Sequence, residues 1–224
     1  MKSSTVDRSY FDCYHNGLPY EETYQEYFCA KYIRKLIKIV WKVKPPYRLL
    51  DAGSANGLTL AELSARGIDA WGVENNRYIH SQTPKKLKKR NLLADVRELP
   101  FPDDYFDFVY ETCLAYLPLG QVGRGVKELH RVTKHGVIFA SLTRDMNPAV
   151  FRRSHLLLGM KLLITLQEWG DLFCAHGFEF AVTTEKTLTK LWRCEEKYNQ
   201  GDDDWYPDEE SLRYCFYTKV RGNG

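Results

Sequence analysis

The sequence predicts an α/β fold in which a mostly parallel sheet is wound by helices on both faces. Three observations carry this expectation. Short apolar runs alternate with helix-length segments through most of the chain, the grammar of a doubly wound sheet. One run, Arg48-Leu-Leu-Asp-Ala-Gly-Ser-Ala-Asn-Gly57, ends on an acid, passes through two glycines and opens into a helical pattern. Finally, the ends of successive strand-like segments carry Asp51, Glu74, Asp95 and Glu111. Burying that many carboxylates is costly unless they line a site.

Taken in order, residues 1–20 are polar and rich in aromatics (Tyr10, Phe11, Tyr14, Tyr20, with His15) and form an irregular arm. From Glu21 to Val43 the pattern turns helical, with Phe28, Tyr32, Leu36, Ile39, Val40 and Val43 on one face and Lys31, Arg34, Lys35, Lys38 and Lys42 opposite. Pro45-Pro46 ends that helix. Arg48–Ala52 is the first strand, Gly57–Arg66 a helix with Gly67 behind it, and Ile68–Glu74 the second strand. A short basic helix precedes the third strand, Asn91–Asp95, and Tyr105–Glu111 is the fourth. Gln121–Thr133 is helical and Gly136–Leu142 a fifth strand. A helix over Glu168–His176, stopped by Gly177, and strands near 178–184 and 212–220 complete the chain.

A chain of 224 residues buries one good core, so a single domain is expected. Its 44% hydrophobic and 27% charged residues are those of an ordinary globular protein. A net charge of +3 argues neither for nor against nucleic acid. The charge is unevenly spread, with basic blocks at 31–50 and at Lys85–Arg90 and an acidic one at Asp202–Glu210. The six cysteines include no Cys-x-x-Cys and no nearby histidine pair, so neither a zinc centre nor a disulfide scaffold is expected, and no metal is assigned. Reduced thiols and a polar N-terminus fit a cytoplasmic location. The longest apolar run, Leu156–Leu166, is interrupted by Lys161 and is too short to span a bilayer.

The glycine turn discriminates between ligands. Gly53 and Gly57 let the backbone approach a ligand closely, but Asp51 in front of them would repel a phosphate. A dinucleotide fingerprint needs two further glycines where Ala55 and Leu58 stand. A cationic or hydroxyl-bearing ligand suits the turn better. Glu74, about twenty residues on, is placed to accept from both hydroxyls of a ribose. Asp95 is placed to accept from an exocyclic adenine amine.

At these residues the chain resembles class I S-adenosylmethionine-dependent methyltransferases. The matching segments are Leu49–Gly57, Gly72-Val-Glu74, Ala94–Val109 with its Leu-Pro-Phe-Pro-Asp signature, and Glu128–Ile138 with its Glu-x-x-Arg-Val pattern. The closest pattern is the small-molecule, type 11-like branch, and the match covers roughly 47–143. The resemblance implies a seven-stranded Rossmann-like sheet with an N-terminal helical arm and a small cap insertion. It divides the chain into an arm and helix (1–46), a cofactor-binding core (47–143), a cap (144–167) and the C-terminal part of the sheet (168–224). It implies S-adenosyl-L-methionine as cofactor and S-adenosyl-L-homocysteine as product. Asp51, Gly53, Ser54 and Gly57 would line the amino-acid end, Glu74 the ribose, and Asn75, Asp95 and Val96 the adenine; Tyr14 of the arm would fold over the cofactor. Two departures stand out. Ala55 replaces a glycine and tightens the turn, while Lys134-His-Gly-Val137 replaces Lys-Pro-Gly-Gly and should alter only a surface turn.

The sulfonium methyl is already electrophilic, so the protein mainly aligns a nucleophile with it. A base is needed only when the nucleophile must lose a proton. Glu111 and Tyr116, at and beyond the fourth strand, are the candidate catalytic groups facing the acceptor. The expected activity is methyl transfer to a small molecule at oxygen or nitrogen, by a monomer or homodimer. The alternatives are RNA or protein methylation docked through the basic helix, and a cofactor-binding subunit without turnover. Arg152, Arg153 and His155 in the cap suit an anionic group on a partly apolar acceptor.

Overall fold

The computed structural model describes residues 26–141, 143–144, 162–181 and 213–220. A seven-stranded sheet runs through them in the order β3-β2-β1-β4-β5-β7-β6. The strands are β1 (Arg48–Ala52), β2 (Asp69–Glu74), β3 (Asn91–Leu93), β4 (Phe106–Glu111), β5 (Thr133–Ser141), β6 (Phe178–Phe180) and β7 (Arg213–Lys219). The first five are parallel, and β7 runs antiparallel to both neighbours. The chain leaves β1 toward β2 and β3, then returns to β4 and β5 on the other side. This reversal is the switch point at which a crevice opens beyond the strand ends.

Among the described residues the α-helices are α1 (Glu26–Val40), α2 (Leu58–Ala65), α3 (Arg77–Ser81), α4 (Leu119–Val132) and α5 (Leu166–Cys174). Two apolar layers follow from the two-residue period of the strands. Leu49, Ala70, Phe108, Ile138 and Phe216 pack on Ala30, Ile33, Leu36 and Ile37 of α1 and Leu60 and Leu63 of α2. On the other face, Leu50, Ala52, Val73, Val109, Val137 and Phe139 pack on Val122, Val126 and Leu129 of α4 and Trp169 and Phe173 of α5. Phe173 stacks on Tyr217 of β7 with centroids 4.0 Å apart.

Strand and helix positions agree with expectation to within a few residues, and the differences have local causes. The first helix stops at Val40, before the proline pair, because Lys42 takes φ 60° and returns its Nζ to the Ile39 carbonyl. Its buried stripe is Ala30, Ile33, Leu36 and Ile37, about one residue step (~100°) round from the predicted face. Trp41 marks the turn: its ring lies 5.0 Å from Phe108 and its Nε1 donates to Thr218 Oγ1. The side chains of Phe28 and Tyr32 lie outside the described residues. Helix α5 starts at Leu166, not Glu168, because Thr165 forms a capping box with Glu168. The Lys134–Val137 departure falls inside β5 and not in a surface turn. Gly136 is required there, since a Cβ would come within 2.5 Å of the Tyr217 carbonyl and 2.6 Å of Trp41.

Two of the sequence motifs turn out to be one structural device. Arg131 donates to the Leu99 and Phe101 carbonyls at 2.9 and 2.7 Å and to both Glu128 oxygens, while Glu128 Oε2 accepts from the Leu99 N–H. The Glu-x-x-Arg of α4 thus clasps the Leu-Pro-Phe loop between β3 and β4. Arg131→Ala strips several charge-assisted bonds from this partly buried loop. It is expected to cost about 2–3 kcal/mol, or roughly 5–10 °C in Tm, measured by thermal unfolding.

Candidate active site at the carboxyl ends of β1, β2 and β4

The glycine turn is held from three sides. Gly53 and Gly57 take φ 98° and 79°. The Gly53 and Ser54 amides both donate to the Val73 carbonyl, at 3.0 and 3.2 Å. A Cβ on Gly53 would meet Thr112 Oγ1 at 2.8 Å and Cys113 Cβ at 3.0 Å, so the turn after β1 lies directly against the turn after β4. Ala55 sits in the left-handed region at φ 49°, where a residue with a β-carbon costs roughly 1–2 kcal/mol. Two hydrogen bonds hold it there: its N–H donates to Glu74 Oε2 (3.1 Å) and its carbonyl accepts from Asn91 Nδ2 (3.0 Å).

Asn91 is the residue that sequence reasoning missed. It is fully buried at the start of β3, donates also to Thr83 Oγ1 (2.9 Å), and accepts from the Ser54 hydroxyl (2.5 Å). Ser54, expected to face the cofactor, therefore spends its hydroxyl on the scaffold. The available signal was a polar amide opening an apolar strand, and buried amides are almost always hydrogen-bonded.

The acids divide between the two faces of the sheet. Asp51 is level with Gly72 and Tyr110, on the α1/α2 side, whereas Glu111 is level with Ala52, on the α4 side. Asp51 is 3% exposed, and no described residue donates a hydrogen bond to its carboxylate. Burial, helped by the Glu74 charge, pushes its carboxyl up to about 7. Burial also raises Glu74, opposed by the amides of Asn76 (2.7 Å), Ala55 and Asn75. Asp95 is different. Arg97 engages it through its guanidinium and backbone N–H, which lowers its carboxyl below the usual range against a partial burial. Glu111 is fully buried and pushed up to about 7 by that burial, against the amides of Leu114 and Cys113. The Cys113 thiol is pushed up by burial and then by Glu111, Glu74 and Asp95, so it sits amid the acids.

The remaining predicted residues fall in distinct places. Asn75 is exposed at the end of β2, and Asn76 beside it caps α3 through Oδ1. The Val96 side chain is buried in the α4 layer, leaving its backbone as the part able to meet a ligand. Tyr116 is half-buried at the end of the 3-10 turn Leu114–Tyr116. Tyr14, Arg152, Arg153 and His155 lie outside the described residues. Helix α2 begins at Gly57 without a side-chain cap, so its first-turn amides add positive potential at the same strand ends.

The arrangement suits a small cationic nucleoside. It offers buried carboxylates for positive and hydroxyl groups, and glycines for close backbone approach. Comparison with known proteins agrees. Residues 50–141 match the family model described as a methyltransferase domain. The chain is 26% identical over 153 residues to the ubiquinone/menaquinone biosynthesis C-methyltransferase UbiE of Burkholderia cenocepacia, covering 64% of this chain and 60% of that protein. It is 32% identical over 109 residues to cycloartenol-C-24-methyltransferase 1 of Oryza sativa subsp. japonica, covering 44% and 30%. The chain thus spans less than two thirds of the length of these relatives. The fold is similar to that of the plantazolicin methyltransferase BamL, with TM-score 0.68 and 14% identity over 90% of this chain and 87% of that one. It is also similar to a putative sarcosine dimethylglycine methyltransferase from Galdieria sulphuraria, with TM-score 0.59 and 11% identity over 86% of each chain. Residues 50–141 thus match a methyltransferase-domain model, as the motifs led one to expect, and the sheet shares its fold with solved methyltransferases.

Proposed function

We propose that this protein transfers a methyl group from S-adenosylmethionine to a small-molecule acceptor at oxygen or nitrogen. The observation that carries the reading is Asp51, a buried carboxylate beside the glycine turn with no donor among the described residues. A ligand with an ammonium and a sulfonium supplies the missing positive charge, whereas a phosphate does not. When bound, the cofactor supplies an electrophilic methyl; the chain's own residues bind and orient. Asp51 and the Gly53 backbone hold the amino-acid end. Glu74, already anchored by backbone amides, retains lone pairs for the ribose hydroxyls. Asp95, pinned by Arg97, and the Val96 backbone face the adenine edge. Glu111 and Tyr116 flank the turn on the acceptor side.

On either side of the expected cap, the Leu162 N–H donates to the Ala115 carbonyl at 2.9 Å and the Arg144 N–H donates to the Ile164 carbonyl, so the returning chain lies beside the turn after β4. The location that goes with this reading is the cytoplasm, on the reduced thiols expected from the cysteine spacing. Among the described residues no helix is long and apolar enough to cross a membrane.

A second reading rests on α1, which exposes Arg34 and Lys38, with Lys42 and Lys44 beyond it. RNA docked there would show an affinity falling steeply with salt, and reversing the charge of Lys38 and Lys42 would abolish it. Calorimetry with S-adenosylmethionine and S-adenosylhomocysteine tests the primary reading: micromolar binding of either is expected, NAD is not expected to bind, and binding of neither nucleoside rejects it. Incubation of metabolite extracts with methyl-labelled cofactor then identifies the acceptor. Two curated relatives are named as C-methyltransferases, so a label found on carbon would replace the oxygen-or-nitrogen assignment.

A further inference from the structure

Glu111 makes contacts that methyl transfer alone does not explain. Its Oε1 accepts from the backbone N–H groups of both Cys113 and Leu114, at 2.5 Å each. Its Oε2 is buried without a hydrogen-bond partner. The turn gathered by this carboxyl reaches in three directions. The Thr112 N–H and hydroxyl donate back to the Ala52 carbonyl, at 3.1 and 3.3 Å. Cys113 is the residue that Gly53 admits by lacking a β-carbon, and Leu114 fills the space left by Gly125 of α4. Ala115 then offers its carbonyl to Leu162, where the chain comes back from the cap.

We propose that Glu111 is a positioning residue that couples the ligand-facing glycine turn to the anchored end of the cap. It holds the Thr112–Tyr116 turn so that Cys113 closes against Gly53 while Ala115 grips Leu162. Glu111 then stands behind the reacting groups, with one oxygen committed to backbone amides and the other enclosed. The inference rests on the methyltransferase reading for the identity of the ligand. The coupling itself rests on the hydrogen bonds named here.

The test is amide hydrogen exchange on the full chain, combined with titration of S-adenosylhomocysteine, for wild type, Glu111→Gln and Glu111→Ala. In Glu111→Ala the amides of Cys113, Leu114 and Leu162 should exchange about tenfold faster or more, and S-adenosylhomocysteine should bind at least about fivefold more weakly. Glutamine can accept the same two N–H groups through its own Oε1, so Glu111→Gln should stay within about threefold of wild type in both measurements. An unchanged Leu162 amide in Glu111→Ala overturns the coupling. So does a glutamine variant as impaired as the alanine one, because accepting the two N–H groups would then not be what the carboxyl contributes. If Glu111→Ala fails to fold, Leu162→Pro removes the donor at the other end of the link. Faster exchange at Cys113 and Leu114 supports the proposal, and unchanged exchange refutes it. Failure of the wild type to bind S-adenosylhomocysteine would reject the methyltransferase reading, while the exchange pattern would still decide the coupling.

Discussion

Glu74→Ala is expected to weaken binding of S-adenosylhomocysteine by about 5- to 150-fold, or roughly 1–3 kcal/mol. Two effects act together. The ribose hydroxyls lose a charged acceptor, and the Ala55 and Asn76 amides lose theirs. The second effect matters because Ala55 holds a left-handed backbone that its β-carbon disfavours. Glu74→Gln separates the two, since the glutamine oxygen can still receive an amide while the charge is gone. Calorimetry on both variants, with thermal unfolding alongside, should show the alanine variant less stable and the glutamine variant impaired mainly in binding. Wild-type affinity in Glu74→Ala would remove Glu74 from the site.

Cofactor affinity should rise with pH across neutrality. The Asp51 carboxyl is held up to about 7 by burial and by Glu74. A ligand bearing an ammonium and a sulfonium favours its ionised form, so binding below pH 7 must first expel a proton. Affinity should fall by up to about tenfold for each pH step of one below that value. Titrations in buffers of different ionisation enthalpy should detect a proton released on binding near pH 6. In Asp51→Asn both the pH dependence and the proton release should shrink, leaving only what Glu74 and Glu111 contribute. Stability of the ligand-free protein runs the other way. Between the unfolded value near 4 and the folded value near 7, the native state binds the extra proton. The contribution of Asp51 is therefore complete at low pH and is lost as pH rises toward and past 7. The difference in unfolding free energy between wild type and Asp51→Asn should shift in that direction from pH 5 to pH 8. A flat difference would refute the buried, donor-free placement of Asp51.

The core of the fold and the placement of part of the candidate site were legible in the sequence because they depend on local pattern. Strand period, glycine turns and a terminal acid each leave a signature within ten residues, and Asp51, Gly53, Gly57 and Glu74 meet at the strand ends as that signature implies. What escaped depends on distance. The α1 stripe is rotated because Trp41 packs against strands far along the chain. The Ser54 hydroxyl donates to Asn91, a partner thirty-seven residues away that no local pattern announces. The division of acids between the two faces of the sheet follows from register across β1 and β4, which no single segment contains.

The amide of Asn91 has a dynamic consequence. β3 is a three-residue edge strand, the kind of element that opens locally long before a domain unfolds. Asn91 binds this strand to Ser54, Ala55 and Thr83, so fraying of the sheet edge should loosen the glycine turn in the same event. Ligand departure and edge opening should then share one free energy. A bound nucleoside would protect the amides of β3, which it does not touch, and weakening the edge by Thr83→Ala would shorten the residence time of the ligand in the crevice.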